Sequence, residues 1–450
     1  MKSSLIPILW LGCAALVHSA EPKLGVPATN VVRLTPGYIN QLADQMRSNH
    51  PALRSAVALT AAARAGTNAV RAWEDPMFKF GGSVAESARG PDPAEDGNLL
   101  YGVEQRLPIF GKASAARAVA VAEAQTQASR VTWQFQSLRR DLARALFRAA
   151  ASERLAEIGR QDLAWLETMV ATAEERFRAG AASQVEVLRL QNDRSKRAEL
   201  VRTDTRRRDA ERASVNRLLG RDLHTPLPGF ELPEVAGPVN YSTQLVSHAI
   251  RHESKLSMMQ REIRAAEARV ESTRRSRRPD VAAGLEARQY SGDGGFREGM
   301  AFVSLSLPWF NAGRYRSDLA RDKAKLDAVQ LDAADYEAAI REEVHHLTVQ
   351  LDAARREGLL YRDEILPRAE QALTVARNAW LTGPGMFLDV MEARRMFLEA
   401  QSMLSRAISE QYQMMSELVL SCGLDDLDAL QLIGVGKTPT ESKPNSSIQP

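Results

Sequence analysis

The side chains best able to do chemistry are sparse and badly spaced for it. His345 and His346 are adjacent, so on a helix they diverge by about 100° and cannot share one ion as an i, i+4 pair does. No zinc-ligand spacing, phosphate loop or nucleophile–base motif occurs, so the sequence makes no case for an enzyme, a metal site or a cofactor. The densest cationic run, Arg274-Arg275-Ser276-Arg277-Arg278, stands just before Pro279. It could contact lipid phosphates, or be a solvated helix end whose cations suit the negative pole of the helix. The 59 basic and 56 acidic residues are intermixed, which describes solvated helix faces; a nucleic-acid partner would need the bases segregated.

Stepping from side chains to elements, the strongest signal is a duplication. Leu107-Pro108-Ile109-Phe110 recurs as Leu307-Pro308-Trp309-Phe310, each copy preceded by alternating apolar residues and followed by a long Ala/Arg-rich stretch. Asn49 to Pro76 resembles Arg251 to Pro279, and Arg176 to Leu188 resembles Ala379 to Met391, pairing Gly180 with Gly383. The order in each half is helix, strand, loop, strand, Leu-Pro junction, long helix, Gly turn, long helix. One repeat spans 34–220 and the other 241–422, joined by a proline-rich connection at 221–240. Residues 1–20 read as an export signal, and cleavage near Ala20 would remove Cys13; a lipoprotein signal at Cys13 is the alternative, with Trp10 standing where such a signal carries leucine. Residues 21–33 form an N-terminal extension and 423–450 a polar tail. Cys422 then remains alone, so stability must come from packing or oligomerisation.

Four strands are expected, at about 76–88, 98–108, 280–290 and 299–308, each with one apolar and one charged face. Helical hairpins are expected at 111–220 and 313–421, with Pro367 marking a kink or a break between stacked helices. Leu319, Leu326, Ala333, Ile340, Leu347 and Ala354 form a seven-residue seam, as in a coiled coil. Four strands cannot close a barrel, and lipid forbids open sheet edges, so a membrane wall would need two or three copies. The fold class is therefore mainly α with a membrane β-barrel: long coiled-coil hairpins plus four strands per chain, two structural repeats, closing as an oligomeric α/β barrel.

The doubled Leu-Pro-aromatic-Phe junction, the turns Gly180…Glu186 and Gly383…Asp389, and Leu218-Leu219-Gly220 make the chain from about Leu34 to Cys422 resemble the outer-membrane efflux (TolC) family. The resemblance implies a homotrimer, with twelve strands in the outer membrane and a helical tunnel in the periplasm. It implies a passive exit duct for a tripartite efflux or type I secretion system, served by an inner-membrane transporter and a periplasmic adaptor. Pro108 and Pro308 would mark where barrel strand becomes tunnel helix. Gly180 and Gly383 would be the tips on which the adaptor docks. Asp389 and Glu392 would form an acidic ring at the entrance, and Glu186 a member of the gate network. That network departs from the family pattern: Gly385 replaces a basic residue and Trp380 an aromatic hydroxyl. The competing reading is a soluble periplasmic coiled-coil adaptor or scaffold.

Overall fold

The computed structural model describes residues 31–84, 97–290, 295–383, 385–424 and 427–434. The expected export signal, Pro384 and the tail from 435 onward lie outside the described residues, as does most of the 21–33 extension. Along the chain, β1 (Val31–Arg33) is followed by α1 (Pro36–Asn49), α2 (Pro51–Ala69), β2 (Met77–Val84), β3 (Gly97–Leu107), α3 (Lys112–Arg178) and α4 (Gln184–Leu218). After β4 (Gly229–Glu231) the plan repeats in α5 (Thr243–His252), α6 (Ser254–Ser276), β5 (Val281–Tyr290), β6 (Phe296–Leu305), α7 (Ala312–Leu360), α8 (Leu366–Thr382) and α9 (Phe387–Ser421). A short helix, α10 (Leu427–Gly434), ends the described chain.

The long strands form one antiparallel sheet in the order β2-β3-β5-β6. Its register aligns Phe78, Val103, Leu285 and Ala301 on one face and Lys79, Gly102, Glu286 and Met300 on the other. The apolar face is bare: Phe80 is 72% exposed and Leu285 69%. The other face is charged and internally paired, Lys79 with Glu104 and Arg288 with Glu298 at 2.9 Å. Phe302 lies over Gly284 so closely that a Cβ there would sit 2.4 Å from its ring. The helices continue this order, with α2 packing on α3, α3 on α6 and α6 on α7. Strand and helix layers thus form one wall, and among the described residues β2 and β6 each keep one edge without a partner strand.

Each Leu-Pro junction passes through a 3₁₀ turn, Ile109–Gly111 in one copy and Pro308–Asn311 in the other. The sixth strand therefore ends at Leu305, earlier than the expected 308, because Pro308 opens the turn and cannot serve the ladder. In the first copy Phe110 (φ 65°) and Gly111 (φ 70°) are both left-handed. Arg278 donates to the Phe110 carbonyl at 2.7 Å and Arg275 to that of Gly111 at 3.1 Å. Two arginines of the 274–278 run thus cap a strained corner, and Arg274 pairs with Glu271.

The main core sits midway down the helices, around Met46, Leu146, Phe147, Leu219, Leu245, Leu351 and Met415. Duplication is visible in its joints. His50 and Glu253 end the first helix of each repeat and cap the second, accepting from Ala52 and Leu256 N–H groups. Gly220 (φ +68°) and Gly423 (φ +63°) lie against those joints, on the backbones of Asn49 and His252. The connection at 221–240 is strapped down by buried Gln411, which accepts from Ala236 N–H at 3.0 Å and donates to its carbonyl at 3.2 Å. Within it, β4 pairs in parallel with β1, which the sequence reading did not include.

Two further differences have clear causes. Pro367 lies just after a π-helical turn, Tyr361–Ile365, which widens the helix where the proline N–H is missing. Residues 423–450 do not begin as a polar tail: Leu424, Leu427 and Leu430 are buried in the main core, and α10 packs on α9. The eight residues of this helix, with leucines at 427, 430 and 432, are too short a signal against the longer polar stretch behind them. Among the described residues, no helix is long and apolar enough to cross a membrane.

Candidate functional site

The lower ends of the two hairpins, α3/α4 and α8/α9, come together and hold the candidate docking, entrance and gate residues, Gly180, Glu186, Gly383, Asp389 and Glu392. At the first tip, Gly180 (φ +74°) reverses the chain after α3, with Ala181 N–H bonding to the Arg176 carbonyl at 2.8 Å. This is the Schellman geometry that favours glycine. Ser183 then caps α4, accepting from Glu186 N–H at 3.3 Å and donating to Glu186 Oε1 at 3.4 Å. Glu186 thus serves as the third residue of a capping pair, and its other oxygen is shielded without a partner.

At the second tip, Gly383 (φ +112°) and Gly385 both bond back to the Ala379 carbonyl. A Cβ on Gly385 would meet the Trp380 nitrogen and Ala379 carbon at 2.7 Å, so no side chain fits there. That contact accounts for the missing basic residue. The cation comes from the other hairpin instead: Arg176 lies 4.8 Å over the Trp380 ring and donates to the Leu381 carbonyl at 2.9 Å. Trp380, 2% exposed, anchors a small core with Leu166, Val170, Leu190, Phe387 and Val390. By contrast, nothing lies within 4 Å of a Cβ built on Gly180 or Gly383.

Asp389 and Glu392 occupy the start of α9, three apart and both exposed. Asp389 lies in the first turn, where the helix dipole favours a carboxylate. Neither acid forms an ion pair among the described residues. Just beyond them is a network that the sequence reading missed. Asp162 of α3 receives a bidentate fork from Arg394 of α9, at 2.8 and 2.9 Å, and Arg197 of α4 approaches it at 3.0 Å. Arg394 also stacks 5.3 Å over Trp165. No spacing rule joins residues so distant in sequence. The alignment of the two tips, which pairs the neighbourhoods of Arg176 and Trp380, was the only available signal for that contact. No group of three or more metal-ligating side chains occurs among the described residues.

Residues 42–221 and 245–424 match the model of the outer membrane efflux protein family, one match for each repeat. The chain belongs to that family. No individual curated protein matches it at a significant level. Among solved structures, it is similar to the outer membrane protein VceC of Vibrio cholerae, with 18% identity and a TM-score of 0.72 over 86% of this chain and 96% of that one. It is similar to the outer-membrane channel OprN, with 20% identity and a TM-score of 0.74 over 86% and 90%. A third likeness is to the CmeC outer membrane channel of Campylobacter jejuni, with 14% identity and a TM-score of 0.70 over 93% and 94%. At these identities the likeness is one of fold, here extending over nearly the whole of each relative.

Proposed function

We propose that three copies of this chain close into one tube, with a twelve-stranded barrel in the outer membrane continued by a helical tunnel in the periplasm. The tube is a passive exit duct of a tripartite efflux or type I secretion system, loaded by an inner-membrane transporter through a periplasmic adaptor. The observation that carries this reading is the wall itself: four strands and four helices in matching order, an apolar exterior-type face, a charged opposite face and two unpaired sheet edges. Lipid tolerates such edges only when another copy completes them.

The adaptor docks at the tips of Gly180 and Gly383, where no side chain crowds the backbone and Val185, Met386 and Leu388 are exposed beside them. Asp389 and Glu392 form the entrance ring, six carboxylates from three copies that favour cations over anions. Glu186, the candidate member of the gate network, contributes to the closed state by fixing the start of α4 through its capping pair with Ser183.

Membrane fractionation tests the proposal. The expected product is a detergent-requiring, heat-modifiable trimer in the outer membrane; a monomer released by osmotic shock would refute it and favour a periplasmic scaffold.

A further inference from the structure

We propose that Asp162 is a positioning residue for the entrance acids, acting through Arg394; this rests on the reading of Asp389 and Glu392 as the entrance ring. The Asp162 side chain is 2% exposed, and both of its oxygens are occupied by guanidinium groups. Arg394 follows Glu392 by two residues and Asp389 by five on the same helix. At 3.6 residues per turn, those acids lie roughly 200° and 140° around the helix from it. Holding Arg394 inward against α3 therefore turns both carboxylates away from α3, with Glu392 bordering the groove between α4 and α9.

The fork does what an apolar contact cannot. Leu166, Val170, Leu190 and Val390 already supply cohesion between the hairpins just below it. Two parallel N–H···O bonds on a planar guanidinium add direction, fixing the rotation of α9 as well as its distance from α3. Arg197 ties the same carboxylate to α4, and Asp193 of α4 lies 3.7 Å from Arg394, so three helices meet at one buried charge. The beginning of α9 is thereby referred to the first hairpin rather than to its own tip loop.

The test uses the full-length trimer reconstituted in bilayers, with spin labels at Glu167→Cys on α3 and Arg395→Cys on α9, both exposed positions. In Asp162→Asn the label-to-label distribution should broaden and the cation-over-anion permeability ratio should fall. Arg394→Lys, which keeps the charge but loses the fork, should do the same. Arg160→Ala, which breaks an exposed pair with Glu157 on the same helix, should change neither. Broadening with unchanged permeability would uphold the positioning and overturn the acid-ring reading. An unchanged distribution in both Asp162→Asn and Arg394→Lys would overturn the proposal.

Discussion

Replacing Gly180 by alanine, and separately Gly423 by alanine, separates a docking glycine from a packing glycine, because the two share a backbone conformation and differ in surroundings. Gly180 has φ +74° and open space where a Cβ would go, so alanine costs only the left-handed backbone, about 1–2 kcal/mol. Gly423 has φ +63°, and its Cβ would lie 2.2 Å from the His252 carbonyl oxygen, 2.4 Å from its carbon and 2.9 Å from Glu253 N. All three are backbone atoms, so no rotamer change relieves the overlap, and about 1–3 kcal/mol of overpacking adds to the same strain. Two assays read the difference: the temperature at which the trimer dissociates in detergent, and growth of cells that depend on this duct for efflux. Gly180→Ala should leave the dissociation temperature within a few degrees of wild type while efflux collapses, because the added methyl stands where the adaptor approaches. Gly423→Ala should lower trimer stability and yield, with efflux falling only in proportion. Full efflux in Gly180→Ala would reduce that glycine to a helix cap, and a normal trimer in Gly423→Ala would refute the steric reasoning.

The remaining predictions bear on the entrance and the core. Asp389→Asn with Glu392→Gln should lower the cation-over-anion permeability ratio of reconstituted channels without changing trimer stability, since both acids are exposed and unpaired among the described residues. Gly385→Arg, which supplies the family's basic residue, should disorder the second tip rather than restore a latch, seen as new protease sensitivity near 383. Gln411→Leu strands the Ala236 N–H and carbonyl in the core, each at about 1–3 kcal/mol, and should lower the dissociation temperature. Burial pushes the Glu253 carboxyl above its ordinary value of 4.5, against the pull of the Lys255 and Leu256 N–H groups. A carboxyl that keeps its proton longer in the folded state costs stability as pH rises through its folded value, the full contribution being present only below the unfolded value. Glu253→Gln keeps a capping oxygen and loses the charge, so its stability relative to wild type should improve as pH rises above the ordinary carboxyl value of 4.5 in denaturation curves.

What could be read from the sequence depended on range. Alternation in the strands and the glycine turns are local features, set within a few residues by sterics and by which face meets lipid or core. Pro108 and Pro308 were legible as junctions, but not the left-handed pair at Phe110 and Gly111, because that conformation depends on carbonyl capping by Arg275 and Arg278 from the other repeat. The three-residue pair of β1 and β4 has too few positions to show a period. Asp162 and Arg394 illustrate the limit best. The chain carries 56 acids and 59 bases, and nothing near either residue marks it as the one that will be buried. Their meeting depends on how α3 and α9 are rotated about their axes at Asp162, well along the 67 residues of α3, and at Arg394, near the start of the 35-residue α9.

Duplication explains why the two tips nevertheless behave differently. A repeat built from one plan should place equivalent groups at equivalent points, and at the joints it does: His50 and Glu253 cap in the same way, and Gly220 and Gly423 lie on the backbones of the equivalent residues Asn49 and His252. At the tips the copies diverge. The first turn is an open Schellman reversal followed by a capping pair, whereas the second folds back so tightly that only glycine fits at 385. A loop so closely packed on α8 cannot also carry a long cation, which accounts for the tie being made by Arg176 from the first hairpin onto Trp380. The cation at this contact between hairpins is therefore one carried by the first hairpin. With Arg176 at the tip and Asp162–Arg394 above it, two charged ties bracket the small apolar core. Because α9 packs between α3 and α8, the edge helices of the two lower hairpins are α4 and α8, and in the proposed trimer those edges are where one copy would meet the next.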